Sequence, residues 1–260
     1  MLKKNSNNVN SSNINSFLHK KLSQVIENFG KTNIKEIEPT IQYIHKNIFD
    51  EDMNISINEL VNSYFKEVNE GKEGYVIREH IIEYIENLGI DLQEMFKWLL
   101  NNQNDTNSIY LLGYFNYQGI GINTNILKAI ELYQKAAYLD NNAAQFDLAN
   151  IYVNGDDQDY EEAFKLSKKL AEKEYSCGIN LLGFCYDGGI GTDVNLETAF
   201  GLYKKATDLG NGLAQYNLAL MYEKGSGTEK NIDQAIYWYK KSAEQGDVDA
   251  QNKLKKLLNE

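Results

Sequence analysis

The sequence predicts an all-α protein, a superhelix of stacked helical hairpins preceded by a helical N-terminal region, and three observations carry that prediction. A Leu-Gly or Leu-Ala pair places a small residue at Gly113, Ala149, Gly183 and Ala219, at intervals of 34 to 36 residues. An alanine follows in step at Ala129, Ala163, Ala199 and Ala235. Between them stands a turn that reads Gly119-Ile-Gly121, Gly155-Asp-Asp157, Gly189-Ile-Gly191 and Gly225-Ser-Gly227. Self-similarity at this period marks an array in which each two-helix unit buries its apolar face only against its neighbours.

Taken in order, residues 1–15 are rich in Asn and Ser with almost nothing apolar to bury, and are expected to be disordered. From Ser16, Phe17, Leu18, Leu22, Val25, Ile26 and Phe29 recur at helical spacing until Gly30. A second helix is expected to start near Pro39, whose missing N–H costs nothing in a first turn, with Ile41, Ile44 and Ile48 on its apolar face. The run Asp50-Glu-Asp52-Met-Asn54 is like the start of a calcium loop, but Ile55 stands where the sharp turn needs glycine and Val61 where a bidentate Glu should close the shell. A capping box of Ser56 with Glu59, and a staple of Ile55 with Leu60, predict a fresh helix start instead. That third helix runs through Tyr64, Phe65 and Val68 to Gly71. A fourth uses Val76, Ile77, Ile81, Tyr84, Ile85 and Leu88, and a fifth carries Leu92, Met95, Phe96 and Leu99. The expected organisation is thus a tail, a helical region over 16–106, repeats at 107–141, 142–175, 176–211 and 212–247, and a capping helix over 248–260 that turns polar with Lys253, Lys255 and Lys256.

The second repeat is irregular. Its turn is shorter, Ser167 takes the place of Tyr133, Tyr203 and Tyr239, and Leu170 that of Ala136, Ala206 and Ser242. A tyrosine lost three residues from a leucine gained reads as an exchange of volume within one turn. In the first repeat Asn116 stands where the others have Tyr152, Tyr186 and Tyr222.

The last repeat reads Ala214-Gln-Tyr216-Asn-Leu218-Ala219-Leu-Met-Tyr222, then Gly225-Ser-Gly227, then Asp233-Gln-Ala235-Ile-Tyr237-Trp238-Tyr239-Lys240-Lys241-Ser242-Ala243-Glu-Gln-Gly246. It resembles the Sel1-like repeats, relatives of the tetratricopeptide repeats set apart by their glycine-bearing turn. The resemblance covers about 140 residues and implies a right-handed α-α solenoid. It further implies a non-catalytic scaffold or adaptor that assembles other proteins, signalling components among them. If the first helix of each hairpin lines the concave face, the positions free to meet a peptide or partner helix are Tyr110, Tyr114 and Tyr117; Phe146, Asn150 and Val153; Asn180, Phe184 and Asp187; and Tyr216, Leu220 and Glu223. None is a cation, which argues against a clamp for a C-terminal carboxylate.

Composition narrows the partners further. The 26 Lys and Arg against 37 Asp and Glu leave a formal charge of −11, shared by both halves. Nucleic acid and anionic membranes reward clustered cations and are not expected partners. No apolar stretch follows Lys3 and Lys4, and no run approaches the roughly 18 apolar residues that span a bilayer, so a cytoplasmic protein without membrane insertion is expected. Cys177 and Cys185 stand eight residues apart on one expected helix, roughly 12 Å along its axis and out of disulfide reach. His19, His45 and His80 have no ligand partner at metal spacing. The glycine turns lack the strand and Gly-Lys-Ser or Gly-Lys-Thr of a phosphate loop, and no protease, hydrolase or kinase motif is present. Neither cofactor nor catalytic site is expected. The competing expectation is a hydrolytic or small-molecule-binding repeat protein, whose mark would be an apolar pocket with converging polar groups. Secreted bacterial relatives of that kind depend on cysteine pairs within each repeat, and such pairs are absent here.

Overall fold

The computed structural model describes residues 34–154 and 159–259, which form helices and turns without a strand. The chain divides into two compact units, 1–55 and 56–260. The helices are α1 (Ile34–Glu70), α2 (Gly74–Asn87), α3 (Leu92–Asn101), α4 (Thr106–Gln118), α5 (Ile126–Tyr138), α6 (Asn142–Asn154), α7 (Tyr160–Glu172), α8 (Ser176–Gly188), α9 (Leu196–Asp208), α10 (Gly212–Lys224), α11 (Ile232–Glu244) and α12 (Val248–Asn259). The expected tail over 1–15, the helix from Ser16 to Phe29 and the short turn of the second repeat lie outside the described residues.

One local expectation is corrected. The helices foreseen from Pro39 and from Ser56 are a single helix, α1, which begins at Ile34 and runs for 37 residues. Ser56 and Glu59 sit in its interior and open nothing. The buried residues Met53, Ile57, Leu60, Val61, Tyr64 and Val68 fall on one face of the helix, each three or four residues from another, so the apolar stripe passes through the supposed break. Asn54 turns its amide back onto the Asp50 carbonyl at 2.9 Å. Neither glycine nor proline occurs between Pro39 and Gly71 to stop the helix. A capping signal is local, and continuous burial outweighs it.

In the second unit, α4–α5, α6–α7, α8–α9 and α10–α11 are antiparallel hairpins, and α12 closes the stack with Ala250 buried beside Ala219, Ala235 and Tyr239. Glycine is required at the second position of the turn in the third and fourth repeats. At Gly191 and Gly227 φ is +66° and +65°, and a Cβ would lie 2.1 Å from the Tyr160 and Leu196 carbonyl oxygens of the preceding hairpin. Gly121 meets Leu92 in the same way, at 3.1 Å, so α3 stands where a preceding hairpin's second helix would. The tyrosines of the second helices serve two neighbours. Tyr203 lies where a Cβ on Gly183 would come within 3.0 Å of its ring, and it joins Leu218 and Met221 of the next hairpin.

The irregular positions have structural partners. Tyr186 and Tyr222 pack edge-on against Phe164 and Phe200 of the preceding repeats, and Tyr152 accepts a hydrogen bond from Gln134 at 2.8 Å. The first repeat has no preceding hairpin, and its Asn116 bonds back to the Leu112 carbonyl at 2.7 Å. The exchange of volume around Leu170 extends beyond one turn. Leu170 is fully buried, and opposite it Gly178 stands where Ala144 and Ala214 stand in the neighbouring repeats. A Cβ on Gly178 would lie 2.3 Å from that of Leu170.

A second irregularity concerns helix starts. Asp105, Asn141, Asn211 and Asp247 each accept from a backbone N–H at the start of α4, α6, α10 and α12. At α8 the corresponding residue is Tyr175, which offers no side-chain cap. There α1 supplies one. Its Asn69 Oδ1 accepts from Cys177 N at 3.4 Å and Ser176 Oγ at 3.3 Å, while Phe65 packs edge-on against the Tyr175 ring at 4.8 Å. Asn69→Ala is expected to cost about 1 kcal/mol, the usual worth of a helix cap, read as a lower midpoint in urea denaturation.

Candidate functional site: an aromatic cavity with a partly buried carboxylate

The second half of α1 lies across the N-terminal ends of the first helices. Asn107 donates to Asn58 at 2.6 Å, and the Tyr64 ring meets Tyr110 and Tyr114 at 5.4 and 5.3 Å. Farther along, Asn211 donates to the Asn69 carbonyl at 3.0 Å, and Gly71 abuts the start of α10. Part of the face foreseen for a partner is therefore already covered by this chain.

Beneath that helix, Asp147 projects from α6 among tyrosines. Its Oδ1 accepts from the Tyr64 hydroxyl and its Oδ2 from the Tyr110 hydroxyl at 3.0 Å. The Tyr133 hydroxyl of α5 faces the same carboxylate but makes no well-formed hydrogen bond, although it is fully buried. Burial pushes the Asp147 carboxyl up to about 6, against the opposing pull of the hydroxyls that donate to it. Burial beside that carboxylate holds the hydroxyls of Tyr64, Tyr110 and Tyr133 far above the ordinary tyrosine range, so each remains a protonated donor.

A cavity of about 350 Å³ opens beside Asp147. Tyr64 and Val68 of α1, Ile77 of α2, Tyr114 and Tyr117 of α4, and Phe146 and Asn150 of α6 line it. Four of the residues foreseen from the sequence, Tyr114, Tyr117, Phe146 and Asn150, thus share one cavity, and Tyr110 holds the carboxylate at its edge. The others lie apart from it. Asn180 accepts from Asn217 at 3.1 Å, Tyr216 packs against Tyr239, and Leu220 is half-buried against the α11–α12 packing. Phe184 is 39% exposed. Asp187 is half-buried, with Lys224 near enough to oppose the upward pull of burial on its carboxyl.

Tyr64 and Asp147 were not foreseen. Asp147 had a signal in the sequence, since the equivalent positions hold Leu111, Leu181 and Asn217 and only the second repeat places a charge there. Tyr64 had none, because nothing local reports where α1 docks. Cys177 and Cys185 are both buried free thiols, and burial pushes Cys177 up to about 12, far from the reactive thiolate range. Among the described residues no three His, Cys, Asp or Glu side chains gather as a metal site, and no helix is long and apolar enough to cross a membrane.

The Sel1 repeat family model matches residues 106–141, 142–175, 178–211 and 212–247. Among solved structures, a Sel1 repeat protein from Oxalobacter formigenes is 30% identical with a TM-score of 0.61, over 66% of this chain and 70% of that one. The protective antigen c5321 of uropathogenic Escherichia coli, described as having an SLR fold, is 21% identical with a TM-score of 0.49, over 86% of this chain and 51% of that one. Cysteine-rich protein B of Helicobacter pylori is 27% identical with a TM-score of 0.39, over 48% of this chain and 92% of that one. No curated protein matches the chain.

Proposed function

The chain belongs to the Sel1 repeat family, whose members generally serve as protein-interaction scaffolds, and on that premise we propose that it is a cytoplasmic, non-catalytic adaptor in complex assembly or signalling that docks a protein partner on the first helices of the third and fourth repeats. The observation that carries this reading is the exposure of Phe184. A phenylalanine 39% open to solvent in the middle of α8 is an anchor without a pocket of its own. The equivalent residue of the first repeat, Tyr114, is buried beneath Tyr64, so the corresponding surface there is spent on α1. Leu220 repeats the Phe184 position one hairpin on; Asp187 follows Phe184 a turn later, whereas Glu223, a turn after Leu220, is already held by Lys253 at 2.9 Å. An apolar side chain followed by a basic one is the complementary pattern for a docking segment.

The test is site-specific photo-crosslinking in cells of the native source, with benzoylphenylalanine in place of Phe184. Tyr138, 90% exposed on α5, is the control position. A defined protein adduct is expected from position 184, absent from position 138 and lost with Leu220→Ala. Identical adduct patterns from the two positions would reject the docking surface.

The cavity beside Asp147 favours a second reading, the binding of a small molecule. Its walls are largely apolar and aromatic, and the Tyr64 and Tyr133 hydroxyls among them turn to one carboxylate, a make-up that suits a ligand pocket.

A further inference from the structure

We propose that the cavity beside Asp147 binds an organic ammonium group, with the Asp147 carboxylate as its counter-ion and the rings of Tyr64, Tyr114, Tyr117 and Phe146 as its walls.

Three independent features point to that chemistry. The first is an uncompensated charge. Asp147 receives only tyrosine hydroxyls, and no cation pairs with it among the described residues. Lys72 lines the same cavity, but its ammonium is held by Glu67 and Glu70 at 3.7 and 3.4 Å. Arg78, the one arginine of the sequence, acts on the Tyr114 hydroxyl and forms no ion pair with a described residue. Asp147 is partly buried, and a carboxylate partly withdrawn from water without a counter-charge is costly, a cost that a bound cation relieves.

The second feature is the buried Tyr133 hydroxyl. In the fourth repeat the equivalent Tyr239 donates to Glu223 of its own hairpin, and in the third Tyr203 lies near Asp187. Tyr117 occupies that acidic position in the first repeat, so Tyr133 turns to Asp147 across the repeat boundary and remains without a formed bond. An N–H donor beside Asp147 would satisfy the Tyr133 oxygen as well, since a hydroxyl keeps acceptor capacity while it donates.

The third feature is the wall. Electron-rich faces of tyrosine and phenylalanine attract cations, most of all where water is excluded, and they suit alkylated ammonium better than any anion. The volume of about 350 Å³ holds a cation of several heavy atoms. A phosphate or carboxylate ligand would face Asp147 directly. A neutral apolar ligand would leave the carboxylate unpaired.

The ammonium can belong to a free amine or to a lysine side chain. Titration calorimetry on the full chain at constant ionic strength separates these sources, with n-butylammonium, tetramethylammonium and acetyl-Gly-Lys-Gly-amide as probes and butyrate and n-butanol as controls. Saturable binding of n-butylammonium is expected, weakened about tenfold or more by Asp147→Asn, with no binding of butyrate. Tyr117→Leu, which removes one ring of the wall, is expected to weaken tetramethylammonium several-fold while circular dichroism stays unchanged. Binding of the peptide as tight as that of the free amine assigns the site to a lysine side chain; binding of the amine alone assigns it to a small metabolite. The proposal fails if no ammonium probe saturates by about 20 mM, near the weak end of measurable affinity. It also fails if Asp147→Asn binds as the wild type does, or if n-butanol binds equally. Failure here leaves the Phe184 surface untouched, because the two sites share no residue.

Discussion

Leu170→Ala is expected to lower the free energy of unfolding by about 2–5 kcal/mol, the range for removing a fully buried leucine that leaves a cavity behind. Gly178→Ala, on the facing helix, is expected to be destabilising as well. Alanine is the better helix former by about 1 kcal/mol, yet its methyl would have to sit 2.3 Å from the Leu170 Cβ. Overpacking of that kind costs about 1–3 kcal/mol and outweighs the gain in propensity. Joined in one chain, the two substitutions are expected to be additive to within about 0.5 kcal/mol in a double-mutant cycle by urea denaturation, because Leu170→Ala keeps the Cβ and the backbone atoms that a methyl at position 178 meets. A favourable coupling above about 1 kcal/mol would mean that the backbone at position 170 shifts to relieve the clash once the leucine is shortened.

The second large effect is a dependence on pH whose sign is opposite to that of a paired surface carboxylate. The folded Asp147 carboxyl lies at about 6, above its unfolded value, so between roughly pH 4 and 6 the folded chain holds a proton that the unfolded chain has released. Its contribution to stability is therefore fully present below about pH 4 and is lost as the pH rises through 6. The size is about 3 kcal/mol, from a shift of about two pH units at 1.36 kcal/mol each. Around this carboxyl stand Tyr64 and Lys72 from α1 and the loop after it, Tyr110 and Tyr114 from α4, Tyr133 from α5 and Cys177 from α8. Burial raises the four hydroxyls and the thiol, so none of them ionises in this window. Asp187 and Glu73 are raised too and contribute with the same sign elsewhere in the fold. The quantity to measure is accordingly the difference between the wild type and Asp147→Asn. Asp147→Asn should gain on the wild type between pH 4 and 6.5, and a flat difference would place the titration on another group.

Much of the array was legible because its determinants are periodic and local. The turn glycines and the small residues at the helix crossings each answer to a contact with the preceding hairpin or within their own, and such contacts recur every 34 to 36 residues. What the sequence hid depends on contacts at long separation. Tyr175 reads as a defect in the capping pattern until Asn69 and Phe65 are seen beside it. Ser56 and Glu59 spell a helix start that the unbroken burial of α1 overrules. The cavity combines both cases: Tyr114, Tyr117, Phe146 and Asn150 could be named from repeat position, whereas Asp147 acquires its meaning only when Tyr64 arrives from another part of the chain.

The seat of α1 also sets an order of events during synthesis. Hairpins in the array join residues close in sequence and can form as they emerge, since short loops close at little entropic cost. The bonds from Asn69 to Ser176 and Asn211 bridge 107 and 142 residues. The first has no partner until the start of the third repeat has left the ribosome, and the second none until the start of the fourth. The first of the described helices therefore waits for the third and fourth repeats before its C-terminal end is locked in place, although Tyr64 can meet Asp147 as soon as the second repeat has emerged.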